Sequence, residues 1–470
     1  MAAAKGKTKA ATEPFTIGAC GDQHLGYAPA GMRHNKTTGW NQRIVDGHIA
    51  HQLTMQSMID HGVKLITDGG DLMHYNKPLP RDVEVANRVD DMRAKAAIPG
   101  VGNSGNHDAG GGNDISAAGV MNRPGMGWLA VYPDPQRALG NGIGPLPGLY
   151  EVHQAASNPW IPEGIALHMV SHYGLSRTLA DQGVNVDPQP IPGMVNLLFC
   201  HGVFSADDRL YRVVNPHGEE RPIPGDWAVR GWDAMILSHY HTLGAVPGFG
   251  DHERGQVWYT GSSLRRGFSD EAGMRGWLKI SIHDTGHVTI DPVPIWQRPQ
   301  YDLDPIHAAD LSVADLDDRI TANLAQVAFT DDESATLTGD GGAIVRQKII
   351  GATFAQRQGL AALRGRYATL AGAAAHWTGA QFVDNTVITL PDMPATGGGW
   401  GLAHRVNDFT ADLRDRYPTI ADRLTIPDRL RTQVLTTAAA WTDQLRPDAK
   451  LAEQTDATDD QVPVLAGAGA

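Results

Sequence analysis

Five short polar motifs rich in Asp, Asn and His occur along the first 241 residues. Each is weak alone, because a chain with 20 histidines contains about one D-x-H by chance. Carboxylates, an amide oxygen and imidazoles together suit Mn, Fe or Zn rather than a thiolate-bound structural zinc. Their joint occurrence therefore predicts a site for two metal ions, with an aspartate able to bridge both. The motifs are GDQH (21–24), GDLMH (70–74), GNHD (105–108), CHG (200–202) and SHYH (238–241).

Four of the five motifs directly follow an apolar run of strand character, and GNHD follows a less regular run. Loops gathered at one edge of a sheet are where binding residues collect, so the five motifs are expected to meet there. The metal site is thus predicted to lie on loops that a rigid sheet positions. The four runs are 15–20, 63–67, 195–200 and 234–237.

Further apolar runs complete the predicted core. Few of them have a long helix between them, which predicts two packed sheets with helices outside. One such helix is predicted from about Trp40 to His61. Residues 109–162 are rich in Gly and Pro and are predicted to be an insertion of loops. The further runs are 165–170, 257–260, 277–282 and 288–295.

The second half of the chain indicates a smaller unit. Residues 301–318 are predicted to be a linker. Strands at 344–350 and 382–390 and a helix near 353–375 are expected to follow. Apolar residues at helical spacing then predict two more helices within 401–450, and the polar tail from Leu451 is predicted to be disordered.

The net charge of −13 argues at first against a nucleic-acid partner. Most of the excess is local, since residues 301–340 carry ten acids and one base and the last twenty residues add −4. Charge therefore does not exclude DNA. Two cysteines, Cys20 and Cys200, exclude a disulfide scaffold. No apolar run reaches the ~20 residues of a membrane span, so a cytoplasmic protein without a membrane partner is expected.

In this order, D-x-H, GD, GNHD, H and H-x-H resemble the calcineurin-like metallophosphoesterase superfamily over about residues 15–295. GDQHLG, GDLMH, WDAMILSHYH and YTGSSLRRGF…RGWLKI are most similar to the SbcD-type DNA double-strand-break repair nuclease, of the meiotic recombination eleven family. The resemblance implies an α+β fold, with a four-layer αββα two-sheet metallophosphoesterase core, a smaller α/β capping domain and C-terminal helices. The implied boundaries are 1–14 for a flexible N-terminus, 15–297 for the nuclease domain, 298–400 for the capping, DNA-orienting domain, 401–450 for C-terminal helices and 451–470 for an acidic tail.

The resemblance also implies roles for individual residues. His107 is similar to the histidine that contacts the scissile phosphate and assists the leaving oxygen, and His74 matches a second catalytic histidine of the nuclease branch. Ser238 departs from the family pattern, which usually has Gly there, and adds a Cβ and a hydroxyl beside the second metal. The cofactor is expected to be two divalent ions, with Mn²⁺ first and Fe or Zn as alternatives. In the implied assignment Asp22, His24 and His241 hold the first metal, Asn106, His201 and His239 hold the second, and Asp71 bridges them.

Two basic groups could contact DNA phosphates. Arg265 and Arg266 follow TGSSL and could bind a phosphate bidentately, although a solvated surface pair is an equal alternative. The acid-free stretch 341–383 could contact the duplex backbone, or it could balance the acidic segment 301–340 within the fold. Its basic residues are Arg346, Lys348, Arg357, Arg364 and Arg366.

The implied activity is phosphodiester hydrolysis by a metal-bound hydroxide, as an exonuclease on duplex ends and also as an endonuclease, in double-strand-break processing or recombination. The implied partner is an SbcC-like ABC-type ATPase with a coiled coil, docked by 401–450, with a homodimer of the nuclease. A bacterial cell or a phage-infected host is the expected setting. Two alternatives stay open: a phosphoesterase of the same superfamily for small phosphate esters or cyclic nucleotides, and a non-enzymatic DNA-end scaffold for the ATPase.

Overall fold

Buried apolar strands form the centre of the chain, and the polar motifs lie at their ends. The structure is a computed structural model. Of the predicted N-terminus 1–14, residues 1–12 lie outside the residues that the structure describes, as do the predicted segments 401–450 and 451–470. The described residues are 13–29, 32–108, 117, 119, 123, 126–131, 146, 148–175, 186–204, 222–249, 255–268, 273–326, 331–371 and 375–383.

The first large sheet is mixed and has six strands. They are β1 (Phe15–Cys20), β2 (Leu65–Asp68), β3 (Gly100–Asn103), β4 (Trp128–Val131), β13 (Gly276–Ile282) and β14 (Val288–Pro294). Their order in the sheet is β14-β13-β1-β2-β3-β4. β1 to β4 are parallel, while β13 and β14 are antiparallel to their neighbours.

The second large sheet also has six strands. They are β5 (Tyr150–Gln154), β6 (Ile165–Val170), β7 (Val195–His201), β10 (Ala234–Ser238), β11 (Gly244–Ala245) and β12 (Gln256–Tyr259). They are ordered β11-β12-β10-β7-β6-β5, with β6, β7, β10 and β12 parallel. The short strands β8 (Val203–Phe204) and β9 (Pro222–Ile223) pair separately.

The two sheets pack face to face around one apolar cluster. Ile17 and Leu65 of the first sheet share it with Leu197 and Ile236 of the second. Strands buried on both faces read as continuous apolar runs rather than as alternating ones, which is why most of them were evident in the sequence.

Helices cover the outer face of the first sheet. α1 (Gln42–Asp60) and α2 (Pro80–Lys95) pack Met58 and Val85 against Ile66 of β2. On the outer face of the second sheet, Trp227 of a short 3₁₀ helix (Gly225–Val229) packs in a cluster with strand residues. The predicted arrangement, two packed sheets with helices outside, is confirmed.

The segment predicted to be the capping domain, called the capping region below, is a three-stranded parallel sheet with helices. Its strands are β15 (Gln300–His307), β16 (Ala343–Ile350) and β17 (Ala375–Val383). Its helices are α3 (Val313–Ala325), α4 (Asp332–Thr338), α5 (Phe354–Ala362) and α6 (Arg364–Ala371). Capping boxes begin α3 at Ser312 and α5 at Thr353, where side chains satisfy amides that have no partner within the helix.

A buried polar network joins this region to the core. The guanidinium of Arg298 donates to both carboxylate oxygens of Asp46 in α1, at 2.8 and 2.9 Å, and to the Thr338 hydroxyl of α4. Nη2 of Arg33 also donates to both carboxylate oxygens of Asp340, at 2.9 and 3.0 Å. Charge-assisted hydrogen bonds of this kind are among the stronger polar contacts in proteins, so the network fixes α4 against α1.

Several predicted elements were wrong. The segment 301–318 is not a linker but β15 and the start of α3. Residues 109–162 include β4 and β5, so they are not only loops. The helix near 353–375 is two helices. Of the strand predicted at 382–390, residues 384–390 lie outside the described residues, and residues 382 and 383 are the end of β17. In the described residues, no helix combines the length and the apolar character needed to cross a bilayer.

Candidate metal centre

All five motifs lie at the carboxyl ends of parallel strands, namely β1, β2, β3, β7 and β10. Contacts between the sheets bring these ends together. The imidazole Nδ1 of His201 donates to the carbonyl of Gly69 at 2.9 Å, and the Asn103 amide donates to the carbonyl of Val170 at 2.7 Å. The motifs therefore converge at one end of the sandwich, as the sequence predicted.

The backbone of these loops is strained. Six non-glycine residues in the described part of the chain have positive φ, and four of them are predicted metal ligands. Such a conformation costs of order 1–3 kcal/mol and persists only where the surroundings impose it, commonly at functional sites. The four are Asp22 (52°), His24 (47°), Asp71 (55°) and His239 (100°).

The first predicted ligand set forms one cluster. The Nε2 atoms of His24 and His241 lie 3.3 Å apart, and Oδ1 of Asp22 lies 4.0 Å from His24 Nε2. The ligand atoms of all three side chains are within 4.8 Å of one another. The structure thus brings together the residues that the sequence assigned to the first metal.

The second predicted set forms an adjacent cluster. Oδ1 of Asn106 lies 3.1 Å from Nε2 of His201 and 3.0 Å from Nδ1 of His239. The backbone amide of His239 donates to Oδ2 of Asp22 at 2.8 Å, which ties this cluster to the first.

Asp71 lies between the two clusters. Its Oδ2 is 3.5 Å from Nε2 of His24 and 3.6 Å from Nε2 of His201. Its Oδ1 accepts the backbone amide of His107 at 2.7 Å. The approach is close enough that a Cβ on Gly105 would lie 2.1 Å from this oxygen, so only glycine fits there. One carboxylate therefore faces both clusters, which is the geometry of a bridging ligand.

Burial and neighbouring charges together determine the pKa values of these groups. It raises the pKa of Asp22 well above its ordinary value, and the charge of Asp71 adds to this. Burial also raises the pKa of Asp71, but His201, His107 and His239 outweigh it and hold the pKa below its ordinary value. Burial lowers the pKa of His24 strongly and that of His201 to about 4. Both imidazoles are therefore neutral at pH 7, the form that binds metals.

These side chains fit two metal ions by their own chemistry. Oδ1 of Asp22 is buried and has no hydrogen-bond partner in the described structure, a costly state for a carboxylate oxygen. The Nε2 atoms of His24 and His241 face each other at 3.3 Å, so one cation could be bound by both nitrogens. The donor set contains oxygen and nitrogen but no thiolate, which suits Mn, Fe or Zn.

The two predicted catalytic histidines lie beside the clusters. The rings of His107 and His74 stack at 5.1 Å, and His107 meets His24 edge-on at 4.7 Å. Nδ1–H of His107 donates to the carbonyl of His74 at 2.8 Å, which fixes the ring orientation. Burial, followed by the charges of His107 and Arg266, lowers the pKa of His74 to about 4.

Ser238 is accommodated by the glycines around it. Its hydroxyl hydrogen-bonds to that of Thr260 at 2.7 Å. A Cβ on Gly69 would lie 1.8 Å from the Ser238 hydroxyl oxygen, so the absence of a side chain at Gly69 makes the necessary room. The departure from the family pattern therefore leaves His239 within reach of its cluster.

Sequence reasoning gave no role to Asp108, the last residue of GNHD. The structure shows its carboxylate accepting the backbone amides of Asp71, Gly105 and Met73, at 2.6, 3.0 and 3.2 Å. Burial, with the charge of Asp71, raises the pKa of Asp108 to about 7. Asp108 thus holds the Asp71 and His107 loops together. In the sequence, only its place within the GNHD motif indicated that it could have a role.

His172 is a second residue to which the sequence gave no assigned role, although it could approach the site. It follows β6 and is buried, with its ring 5.8 Å from that of His201 and 6.4 Å from that of His239. Its ring Nδ1 lies 3.3 Å from the carbonyl oxygen of His201. It therefore backs the second cluster.

The paired arginines Arg265 and Arg266 have different surroundings. Arg265 donates to the carbonyls of Gly267 and Phe268, so it braces its own loop. Nη2 of Arg266 lies 2.6 Å from Nε2 of His241, and its guanidinium lies over the ring of Tyr27 at 5.6 Å. Arg266 is thus at the first cluster itself.

The basic residues of the capping region are largely engaged within that region. Arg346 makes a bidentate pair with Asp302, and Lys348 contacts the same carboxylate at 3.0 Å. Arg366 pairs with Asp317, while Arg357 donates to the carbonyl of Ala352 and lies over the Phe382 ring. Arg364 is exposed at the start of α6. These contacts favour the internal balance of charge that the sequence left open beside DNA binding.

The chain matches no protein-family model and no curated protein. Among solved structures it is similar to a dimetal phosphatase from Danio rerio, with 11% identity, 60% of this chain and 99% of that chain covered, and a TM-score of 0.33. It is also similar to a purple acid phosphatase from yellow lupin (Lupinus luteus) seeds, with 12% identity, coverage of 60% and 53%, and a TM-score of 0.31. TM-scores this low carry no argument about activity, which rests on the chain's own clusters.

Proposed function

We propose that this chain is a hydrolase of phosphate esters that uses two divalent metal ions, and that its substrate is DNA. The observation that carries the proposal is the position of Asp71, whose Oδ2 lies at nearly equal distances from a histidine of each cluster. Two clusters that share one carboxylate match the needs of a two-metal phosphoesterase. Manganese is the expected metal, with iron or zinc as alternatives.

Each cluster would hold one ion, with Asp71 between them. When bound, two divalent ions neutralise the charge on the phosphate and make water acidic enough to attack it at neutral pH. The chain's task is to hold these groups rigidly, and the strained loops and the Asp108 hydrogen bonds serve that task. In this assignment Asp22, His24 and His241 hold one ion and Asn106, His201 and His239 hold the other.

His107 is the residue placed to move a proton. Because Nδ1–H donates to the carbonyl of His74, the ring presents Nε2 as its second site. The Nε2 proton of His107 would pass to the leaving oxygen while the bond from phosphorus to that oxygen breaks. His74, neutral at pH 7, cannot supply that proton and instead supports the His107 ring by stacking.

Arg266 is the phosphate-binding candidate at the centre. It donates to a ring nitrogen of His241 that the first metal would use, so it must turn away when that metal binds. A non-bridging phosphate oxygen is then its natural partner, through a charge-assisted hydrogen bond. Arg266 therefore supports binding of a phosphate whose charge extends beyond the two metals.

A specific observation keeps a small phosphate ester, or a cyclic nucleotide, as the second candidate substrate. Arg346, Lys348 and Arg366, which would contact a duplex, are already paired with Asp302 or Asp317. A small ester needs only the clusters and Arg266. The two substrates make different predictions about rates on DNA and on small esters.

The deciding experiment loads the full chain with Mn²⁺ and compares linear duplex DNA, single-stranded DNA, methyl p-nitrophenyl phosphate and p-nitrophenyl phosphate. Release of nucleotides from duplex ends, dependent on Mn²⁺, is expected. Fast hydrolysis of the small esters without release from DNA would replace DNA by a small substrate. No hydrolysis of any of the four, with both metals bound, would leave the scaffold alternative.

The matched variant is His107→Ala. It should keep both metals, by elemental analysis, and lose most of the cleavage of whichever substrate is used. Loss of metal in this variant would mean that His107 is a ligand rather than the proton donor. The SbcC-like ATPase partner and the homodimer also remain proposals, tested by co-purification and by light scattering of the full chain.

A further inference from the structure

A run of aromatic rings leads from the buried metal centre to the surface. His24 contacts His107 at 4.7 Å, His107 stacks on His74 at 5.1 Å, and His74 meets Tyr75 at 4.6 Å. Burial decreases along the run, and the last ring, Tyr75, is 50% exposed. A tyrosine ring presented to solvent two ring contacts from the proposed proton donor is a surface that substrate can meet.

A second tyrosine supports the same corner of the site. Tyr27 meets the ring of His74 edge-on at 5.1 Å, and the guanidinium of Arg266 lies over Tyr27 at 5.6 Å. His74 is therefore held between Tyr27 and Tyr75, with Arg266 on the metal side. An aromatic surface and a phosphate-binding guanidinium thus adjoin one catalytic centre.

The loop that carries Tyr75 is also basic. Lys77 is exposed two residues later, and Arg81 follows on the first turn of α2, with its guanidinium 5.4 Å from the ring of Trp40 and its Nε 3.4 Å from Oδ1 of Asp82. Aromatic rings combined with positive charge are the usual surface for an unpaired nucleotide, because every base has a face that can stack. A purely phosphate-binding site would need the positive charge but not the ring.

We propose that Tyr75 stacks on an unpaired nucleobase next to the phosphate that reacts. The proposal rests on the proposed function and narrows it: the substrate is a nucleic-acid strand whose terminal base is out of the duplex, at a frayed or single-stranded end. Tyr75 then selects nucleoside esters over base-free esters, while the metal clusters and His107 act on the phosphate of either.

The test measures binding without catalysis. Fluorescence anisotropy in EDTA compares two labelled duplexes that carry the same short single-stranded end, one with a normal terminal base and one with an abasic terminal nucleotide. The wild-type chain should bind the end with the base at least about fivefold more tightly, since stacking of one base is worth ~1–3 kcal/mol. Tyr75→Ala should bind both ends equally, and Tyr75→Phe should keep the preference.

Phe354→Ala is the matched control, because it removes an exposed aromatic side chain from the capping region. It should keep the wild-type preference. Equal affinity of the wild-type chain for the two ends, or a preference that survives in Tyr75→Ala, overturns the proposal. Tighter binding of a phosphotyrosine peptide than of either end would point to a protein substrate and also overturn it.

A kinetic arm separates this proposal from the proposed function. With Mn²⁺, the kcat/KM for thymidine 5′-(p-nitrophenyl phosphate) is compared with that for methyl p-nitrophenyl phosphate, which has the same leaving group. The ratio should fall at least about fivefold in Tyr75→Ala. An unchanged ratio with active enzyme overturns only the stacking role, whereas no hydrolysis of DNA or of either diester by the wild type overturns the proposed function.

Discussion

The metal centre and the capping sheet use charged side chains in opposite ways. Asp22 and Asp71 are almost fully buried, and in the part of the chain that the structure describes neither pairs with a lysine or an arginine. Asp302 of the capping sheet is paired with Arg346, its direct neighbour on the adjacent strand, and with Lys348. A buried carboxylate without a lysine or arginine ion pair costs free energy to ionise, so two of them on strained backbone indicate function. Charged side chains that are exposed and paired, such as Asp302, indicate a structural role instead.

The largest expected effect concerns the unpaired, buried carboxylates of the metal centre. Asp71→Ala removes the carboxylate that faces both clusters, so the two metal sites lose their shared ligand. Hydrolysis should fall at least about a thousandfold, because charge stabilisation by metals is worth several kcal/mol. Elemental analysis should show that metal content falls in parallel.

The matched control is Asp68→Asn, at the last residue of β2 and three residues before Asp71. Asp68 is also buried, and burial raises its pKa to about 8, but its Oδ1 accepts the amide of Gly70 instead of facing a cluster. This variant should keep both metals. Full metal occupancy in Asp71→Ala would show that Asp71 is an ordinary buried carboxylate and would break the comparison.

The site could be predicted largely from the sequence because its residues follow parallel strands directly. Strand ends in one sheet must lie together, so motifs such as GDQH and GNHD converge whatever the loops do. Arg266 could not be placed in this way, since its contact with His241 depends on the path of a 25-residue connection. The support that Asp108 gives to Asp71 likewise depends on one loop folding back on another.

The next prediction concerns how much a buried ion pair contributes to the free energy of unfolding. Asp46→Ala removes the carboxylate shared by Arg298 and Arg43, both fully buried, and leaves two guanidinium groups without it. Leaving a buried charge uncompensated costs about 3–5 kcal/mol. Urea unfolding of the metal-free chain should show a loss of free energy of unfolding of that size.

Asp302→Ala is the exposed counterpart. Its side chain is 29% exposed, so the loss should be about 1 kcal/mol or less. Similar losses in the two variants would mean that burial does not decide the value of an ion pair in this chain.

The strands buried on both faces were largely predictable, whereas among the partly exposed strands β14 was predicted and β15 was not. β6 was predicted at its observed bounds because all six of its residues are buried. β15 was taken for a linker because Asp302 and Asp304 interrupt its apolar residues. Asp304 is exposed, so this strand lacks the continuous apolar run of a buried strand. In the same way, the glycines and prolines around β4 and β5 hid two short strands that only pairing with β3 and β6 stabilises.

A smaller effect concerns a buried histidine away from the metals. Both ring nitrogens of His168 have partners, since the hydroxyl of Tyr150 lies 2.7 Å from Nδ1 and the Asn196 amide oxygen lies 3.1 Å from Nε2. Burial lowers its pKa to about 4, against about 6.5 in an unfolded chain. The unfolded state therefore binds more protons between these values. The stability that neutral His168 contributes is present above pH 6.5 and is lost as pH falls towards 4, by up to about 3 kcal/mol.

His168→Gln should reduce the difference in free energy of unfolding between pH 7 and pH 4.5 by up to about 2–3 kcal/mol, measured by urea unfolding at both pH values. His61→Gln, which removes an exposed imidazole, is the control. An unchanged pH dependence in His168→Gln would show that His168 titrates as it does in the unfolded chain. Burial would then be no reason to expect lowered pKa values for the cluster histidines either.

The smallest effect tests whether the paired basic residues of the capping sheet contact DNA. A phosphate would have to displace Asp302 from Arg346 and Lys348, and Arg346 also lies over the ring of Phe268 at 4.2 Å. Arg346→Gln with Lys348→Gln should therefore leave the salt dependence of DNA binding unchanged. The matched pair, Lys77→Gln with Arg266→Gln, should lower the slope of log Kd against log salt by about two, since each phosphate contact contributes ~0.9. A fall of about two in the slope for Arg346→Gln with Lys348→Gln would assign the capping sheet to DNA after all, and the contrast between unpaired functional charges and paired structural ones would fail.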